Sequence, residues 1–376
     1  MDPHSAAYYP MKTQRFQRDD IHSKSRYLVN HVITKKYHPP QQHVYTSLGA
    51  EQQRIQDICY NQRHYGKPHT LIFIDTSYYI FMLYFGTKSW YKQTYQTFDV
   101  ETIATNKVFL DKYTEFFINK IKQLTKTYKT AFDNITFVKD CPRKTVWRSE
   151  EYPLYKTTRS DKSKVFNKDI FAYTYNVVLP QLIKKYNFKE ISFPSLEADD
   201  VIALMTKHLH NKKLPPSMLS KHKDANIVLQ NNREKFVVIV TNDNDYVQLL
   251  SYKNVCIETF KRRITPDDVP ENMISPYYYL LKKIIMGDRS DNIPPITDDK
   301  QVASDILQHL YKGDTPSIMR VYKLMEQHKL HTRFARNRLL IDFKCIPLSL
   351  SSAFYHSSDF MMLMQQLGIY ISVQKN

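Results

Sequence analysis

Thr70-Leu-Ile-Phe-Ile-Asp75 is an apolar run of strand length closed by an acid, and Ile135-Thr-Phe-Val-Lys-Asp140 repeats that form. Phe236-Val-Val-Ile-Val-Thr241 is the most apolar run of the chain and is followed by Asp243 and Asp245. Glu190-Ile-Ser-Phe193 and Val255-Cys-Ile-Glu258 are two further strand candidates. Runs apolar at nearly every position read as strands buried on both faces. Helical patterning fills roughly 102–130, 168–186 and 197–210 between them. Strands alternating with helices predict an α/β fold with a mostly parallel central sheet flanked by helices. Ligands of such sheets bind beyond the carboxyl ends of the strands. Asp75, Asp140 and Asp243 fall there.

The composition narrows the class of partner. Among 376 residues, 54 Lys and Arg stand against 37 Asp and Glu, a net charge of +17. With 42% hydrophobic and 13% aromatic residues, the chain has material for a large core and does not read as disordered. Such an excess of basic charge points to an anionic partner, nucleic acid first, although a repulsive solvated surface has the same composition. The longest apolar stretch, Thr76 to Thr87, is too short to span a membrane, and no apolar signal core opens the chain. Cys59, Cys141, Cys256 and Cys345 lie far apart, without zinc-ligand or disulfide spacing, which fits a reducing intracellular compartment.

The organisation along the chain follows from these patterns. Residues 1–68 hold ten Lys and Arg against five Asp and Glu with weak periodicity, and read as a basic, flexible arm. An α/β core is expected over 69–275, with an exposed loop inserted at about 211–235, where Pro215-Pro216 and several Lys and Asn stand. Residues 276–376 read as a mainly helical C-terminal region.

The acids concentrate. Glu197-Ala-Asp199-Asp200 opens a helix, and acids in a first turn suit the helix dipole. That ordinary explanation covers one or two carboxylates. It does not cover three in four residues, nor Asp243 and Asp245 after a buried strand, nor Asp288 and Asp291 in a polar turn. Gathered at one sheet edge with Asp75 and Asp140, these groups repel one another unless some stay protonated or cations intervene. Oxygen ligands without His or Cys favour Mg²⁺, with Mn²⁺ as a substitute. A basic surface around an acidic pocket suits phosphodiester hydrolysis. The surface holds the phosphates, and the acids hold ions that activate water and stabilise the leaving oxygen.

Asp75-Thr-Ser, Glu197-Ala-Asp-Asp200, Thr241-Asn-Asp-Asn-Asp245 and Gly287-Asp-Arg-Ser-Asp-Asn-Ile-Pro294 resemble, in order, the signature of structure-specific 5′ nucleases. These include flap endonucleases, the 5′-nuclease domain of bacterial DNA polymerase I, and phage 5′-3′ exonucleases and RNase H. The resemblance covers about residues 70–312, and Asn337-Arg-Leu-Leu-Ile-Asp-Phe-Lys-Cys-Ile-Pro347 is similar to the C-terminal part of phage-type RNase H, which points to a viral enzyme. For a viral chain the expected location is the host cytoplasm, the nucleus or the virion.

The resemblance implies a PIN-like 5′-nuclease core and a C-terminal region with a modified helix-hairpin-helix-type motif. It assigns Asp75, Asp140, Glu197 and Asp199 to one metal and Asp243, Asp245 and Asp291 to a second, with Asp200 and Asp288 in support. It identifies about 141–168 as a basic arch over the site, through which a 5′ single strand passes. There Arg148, Lys156 and Arg159 are expected at the scissile phosphate, Arg143 and Lys144 at the backbone, and Tyr155 or Trp147 stacked on bases. The implied partner is DNA with a free 5′ end or flap, or an RNA–DNA hybrid. One departure stands out: Pro295-Ile-Thr-Asp-Asp-Lys300 replaces the glycine-rich hairpin that usually follows. Without those glycines a weaker hold on duplex is expected, with Lys282, Lys283 and Lys300 as remaining contacts. A PIN-like single-strand RNase and an inactive nucleic-acid scaffold are the alternative readings.

Overall fold

The computed structural model describes residues 70–157, 165–210, 225–230, 235–265, 275–367 and 369–375. The expected N-terminal arm lies outside the described residues, as do 158–164 with Arg159 and most of the expected loop at 211–235. The strands are β1 (Thr70–Asp75), β2 (Ile135–Val138), β3 (Lys189–Ile191), β4 (Ala225–Gln230), β5 (Phe236–Val240), β6 (Val255–Glu258), β7 (Arg263–Ile264) and β8 (Tyr370–Lys375). Six of them form one sheet in the order β3-β2-β1-β5-β6-β7. β1 is central, with Ile72 opposite Ile135 on one side and Val238 on the other. All pairings in this sheet are parallel except that of β7, which turns back antiparallel on β6.

The helices are α1 (Thr76–Tyr95), α2 (Lys107–Tyr128), α3 (Trp147–Glu151), α4 (Asp169–Tyr173), α5 (Leu179–Tyr186) and α6 (Ala198–His210), then α7 (Pro276–Met286), α8 (Lys300–Lys312), α9 (Thr315–Gln327), α10 (His331–Ile341), α11 (Leu348–Tyr355) and α12 (Ser358–Gln366). Successive side chains of a strand alternate between faces. Ile72, Ile74, Phe137 and Val238 accordingly pack with Tyr79, Phe109, Phe117 and Ile121 of α1 and α2. Leu71, Phe73, Val237 and Ile239 pack on the other face with Val201, Ile202 and Met205 of α6. Both faces are covered, which is why the strands read as continuous apolar runs. Among the described residues no helix is long and apolar enough to cross a membrane.

Two features depart from the sequence expectation. The helix predicted over 168–186 is one element by position, but it widens into a π turn over Thr174–Val178, just ahead of Pro180. Proline has no amide to donate, and a wide turn absorbs the missing bond. Within the segment expected as an exposed loop, Ala225–Gln230 is strand β4, paired antiparallel with β8. Its partner stands at the other end of the chain, so no local pattern announces the pairing.

The C-terminal region divides between two places. α7 to α10 build a third apolar cluster with Cys141, Val146 and Tyr155. Phe354, Phe360 and Leu363 of α11 and α12 return to the sheet face beside α6. α7 and α8 form a helix pair joined by 287–299, where Asp299 accepts from the amides of Gln301 and Val302 and so caps α8. The acid that stands near the missing glycines is thus engaged within the chain.

Gly287 opens that connection at φ +75°, and a Cβ there would come within 2.3 Å of the Ile293 carbonyl oxygen and 2.6 Å of the Pro294 carbonyl carbon. Gly287→Ala is expected to lower the unfolding free energy by about 2 kcal/mol or more. Urea titration checks this. An unchanged midpoint would mean that the backbone of 293–295 gives way freely.

Candidate active site

The strands deliver their acids to one edge. Asp75 ends β1 and caps α1, accepting from the Tyr78 amide at 3.1 Å. Asp140 lies two residues beyond β2 and accepts from Ser77 Oγ at 2.6 Å and the Ala198 amide at 2.9 Å. It therefore joins the first turns of α1 and α6. Asp243 follows β5 and accepts from the Asp245 amide at 2.9 Å. Asp199 and Asp200 stand in the first turn of α6. Asp288 opens the turn after α7 and accepts from the amide and the hydroxyl of Ser290 at 2.8 and 2.7 Å. Glu197, Asp199 and Asp200 bring carboxylate oxygens within 4.8 Å of one another, and so do Asp245, Asp288 and Asp291. The second group thus has Asp288 where the resemblance put Asp243.

Basic and aromatic groups of the expected arch lie inside this cluster, not above it. Arg148 is 2% exposed. It donates to both oxygens of Asp200 at 2.8 and 2.7 Å, to Glu197 at 3.1 Å and to the Leu340 carbonyl at 2.8 Å. Here the guanidinium expected at the scissile phosphate is held by carboxylates and a carbonyl. Trp147, expected to stack on bases, is buried and donates from Nε1 to Asp200 at 2.9 Å. The same holds for Tyr155. Its ring is buried, and its hydroxyl lies 2.9 Å from Glu197 Oε2 and 3.1 Å from Asp291 Oδ2. Lys283 is not a surface contact for duplex. Its ammonium is bound by Asp245 and stands 2.5 Å from Asp288 Oδ2.

Lys156 sits where the two groups meet. Its Nζ is 2.6 Å from Glu197 Oε1 and 3.6 Å from Asp291 Oδ2. Its backbone is in the left-handed region, at φ 57°. Its amide donates to the Asp291 carbonyl at 2.9 Å, and its carbonyl accepts from Arg143 at 2.6 Å. Asn292 donates to the Leu154 carbonyl and to Thr157 Oγ1. The base of the expected arch is therefore docked on the Gly287–Pro294 turn. Arg143, Lys144 and Lys300 are exposed and Lys282 is partly so. Asn337 was not foreseen as a site residue. Fully buried on α10, it donates to the carbonyls of Ile284 and Pro294 at 3.0 and 2.8 Å and so clamps both ends of the acid turn. Its place in the Asn337–Pro347 run was the available signal.

The electrostatics follow from this packing. Burial, with Asp140 and Asp243 beside it, pushes the Asp75 carboxyl up to about 7. Burial also raises Asp199 well above the carboxylate range, with Asp200 and Glu197 adding to the effect and Arg148 opposing it. Asp245 is pushed up to about 6 by burial, against the pull of Lys283. Burial alone would raise Glu197 too, but Lys156 and Arg148 outweigh it and hold that carboxyl down to about 2. Asp200 has its oxygens taken by Arg148 and Trp147. Asp75, Asp140, Asp199 and Glu197 on one side, and Asp245, Asp288 and Asp291 on the other, are hard oxygen donors suited to divalent cations.

These shifts have a sign. A carboxyl raised in the folded state stabilises the fold below its unfolded value of about 4, and that contribution is lost as pH rises through the raised value. Asp75 and Asp245 set that window at about pH 4 to about 7. Glu197, held low, contributes stability that is already complete above about pH 5. A bound divalent cation removes the cost of ionising the raised carboxyls. The gain in thermal midpoint from Mg²⁺ over EDTA is therefore expected to grow across this window. Comparison at each pH cancels groups remote from the site, such as buried His208. A gain independent of pH would contradict the assignment.

The profile of the family described as "5'-3' exonuclease, N-terminal resolvase-like domain" matches residues 70–274. The 5'-3' exonuclease of Buchnera aphidicola subsp. Baizongia pistaciae is 28% identical over 199 residues, covering 51% of this chain and 54% of that protein. DNA polymerase I of Lactococcus lactis subsp. cremoris is 28% identical over 161 residues, covering 41% of this chain and 15% of that one. The chain thus spans about half the length of the first of these relatives and a small part of the second. Among solved structures, the T5 D15 protein co-crystallised with metal ions superposes with a TM-score of 0.50 at 18% identity, over 79% of this chain and 98% of that one. The bacteriophage T5 flap endonuclease in a pseudo-enzyme–product complex with DNA and metal ions gives 0.50 at 16% identity, over 80% and 99%. These two likenesses speak for the fold. With more than half of its residues matched by this family's domain, the chain belongs to the 5′-3′ exonuclease family.

Proposed function

We propose that this chain is a metal-dependent 5′ nuclease that hydrolyses phosphodiester bonds in DNA carrying a free 5′ end or flap, with RNA–DNA hybrid as a further substrate. Two Mg²⁺ ions, replaceable by Mn²⁺, are its cofactors in this reading. The observation that carries it is the pair of three-carboxylate groups at one end of the fold, with the Lys156 ammonium between them. A catalytically inactive scaffold has no use for repelling groups held at this cost. The T5 flap endonuclease named above was solved with DNA and metal ions, and that likeness supports the substrate class.

When bound, the ions supply water activation and charge neutralisation at the leaving oxygen. The chain's own residues do the rest. Asp75, Asp140, Asp199 and Glu197 would hold one ion and Asp245, Asp288 and Asp291 the other. Arg148, Trp147 and Tyr155 fix the carboxylates that the ions need in place. Lys156 turns to the scissile phosphate when nucleic acid enters, and Arg159, from the sequence resemblance, is a second phosphate contact. Arg143, Lys144, Lys282 and Lys300 hold flanking phosphates through their exposed charge.

The test is cleavage of a 5′-labelled flap with Mg²⁺. Asp199→Asn is expected to abolish cleavage while binding stays intact or tightens, because a charge that repels phosphate is gone. Cleavage near the wild-type rate would contradict the metal assignment. Preference for unstructured RNA over the flap would instead favour a single-strand RNase. Lys156→Ala is expected to lower kcat by about two orders of magnitude with little change in KM, as for loss of a donor to developing charge. A change confined to KM would reduce Lys156 to a general phosphate contact.

A further inference from the structure

The three fixed cations of the site are placed differently. Arg148 is engaged by Asp200 and Glu197, and its nearest nitrogen is 3.9 Å from Asp199. Lys156 stands at the boundary of the two groups. Lys283 instead lies within the second group. It projects from α7, is bound by Asp245 and stands 2.5 Å from Asp288 Oδ2, and the carboxylates of Asp245, Asp288 and Asp291 close to within 4.8 Å of one another. A compact ammonium with three donors is the side-chain group that most nearly imitates a metal ion among carboxylates. Its side chain is 16% exposed, and its four-carbon stem can swing the charge outward, which a guanidinium locked in a bidentate pair cannot do.

We propose that Lys283 is a built-in counter-ion of the second carboxylate group, taking the divalent cation's position in the metal-free protein and withdrawing when the cation binds. The inference rests on the reading that this group holds a divalent cation. It follows that the two sites differ in affinity. At the first site Lys156 and Arg148 pair chiefly with one of the four acids, Glu197, whereas the second must expel an ammonium already paired with two of its three carboxylates. The same lysine keeps the metal-free fold intact, since Asp245 and Asp288 are never left facing each other unscreened.

The probe is Mn²⁺ alone, titrated into the 376-residue chain at fixed pH and followed by electron paramagnetic resonance of the free ion. The wild type is expected to show one tight and one weak class. In Lys283→Gln the weak class is expected to tighten at least about tenfold, because a like charge a few ångströms from the ion is removed. Lys283→Arg, which keeps the charge, is expected to leave it weak. Lys283→Gln is also expected to melt earlier than wild type in EDTA and to recover that deficit with Mn²⁺. A second readout needs no variant. Reductive methylation of Lys283, followed by mass spectrometry, is expected to be suppressed in EDTA and to rise with Mn²⁺. Two Mn²⁺ classes unchanged by Lys283→Gln, or methylation indifferent to Mn²⁺, would overturn this inference alone. No Mn²⁺ binding by the wild type would overturn it together with the proposed function.

Discussion

Mutual repulsion among carboxylates at one edge of the sheet is the constraint on which the rest of this structure depends. In a poorly solvated pocket, like charges a few ångströms apart cost far more than in water. Three responses are visible. Fixed cations enter the cluster, as Arg148, Lys156 and Lys283 do. Backbone amides and hydroxyls are aimed at single oxygens, as at Asp140 and Asp288. Where burial outweighs both devices, at Asp75 and Asp199 above all, the carboxyls are pushed toward their neutral forms. In the proposed reading, that residual imbalance is what would give a divalent cation its affinity.

The same constraint ties distant parts of the chain together. Arg148 binds α6 through Asp200 and α10 through the Leu340 carbonyl. Tyr155 and Lys156 each reach both Glu197 and Asp291. Asn337 holds the turn that carries Asp288 and Asp291. The segment after β2 is therefore anchored at its base by the acids it serves. Its order and that of the site are one property. A nucleic acid that draws Lys156 away from Glu197 also relaxes one of the charges that holds this carboxyl ionised.

Much of this was legible beforehand, for a physical reason. Strands buried on both faces must be apolar throughout, so β1, β2, β5 and β6 are plain in the sequence, and the acids that end them mark the functional edge. The α1 helix was harder to see because Tyr78-Tyr-Ile-Phe81 is apolar around the whole circumference and shows no periodicity. β4 and β8 depend on each other across most of the chain. The surroundings of Arg148, Tyr155 and Lys283 were not legible because a residue type states what a side chain can bind and not which way it faces. An arginine or lysine near a phosphate-processing site is as useful for holding a carboxylate as for holding a phosphate. Burial decides between the two, and burial is a property of the packed molecule.

The central claim is that the acids form two cation sites separated by Tyr155 and Lys156. Anomalous diffraction from crystals soaked in Mn²⁺ tests it most directly. The account predicts two peaks, one among Asp75, Asp140, Glu197 and Asp199 and one among Asp245, Asp288 and Asp291, with Lys283 drawn away from the second. A single peak centred on Asp200 and Arg148, or ions confined to surface acids, would contradict it.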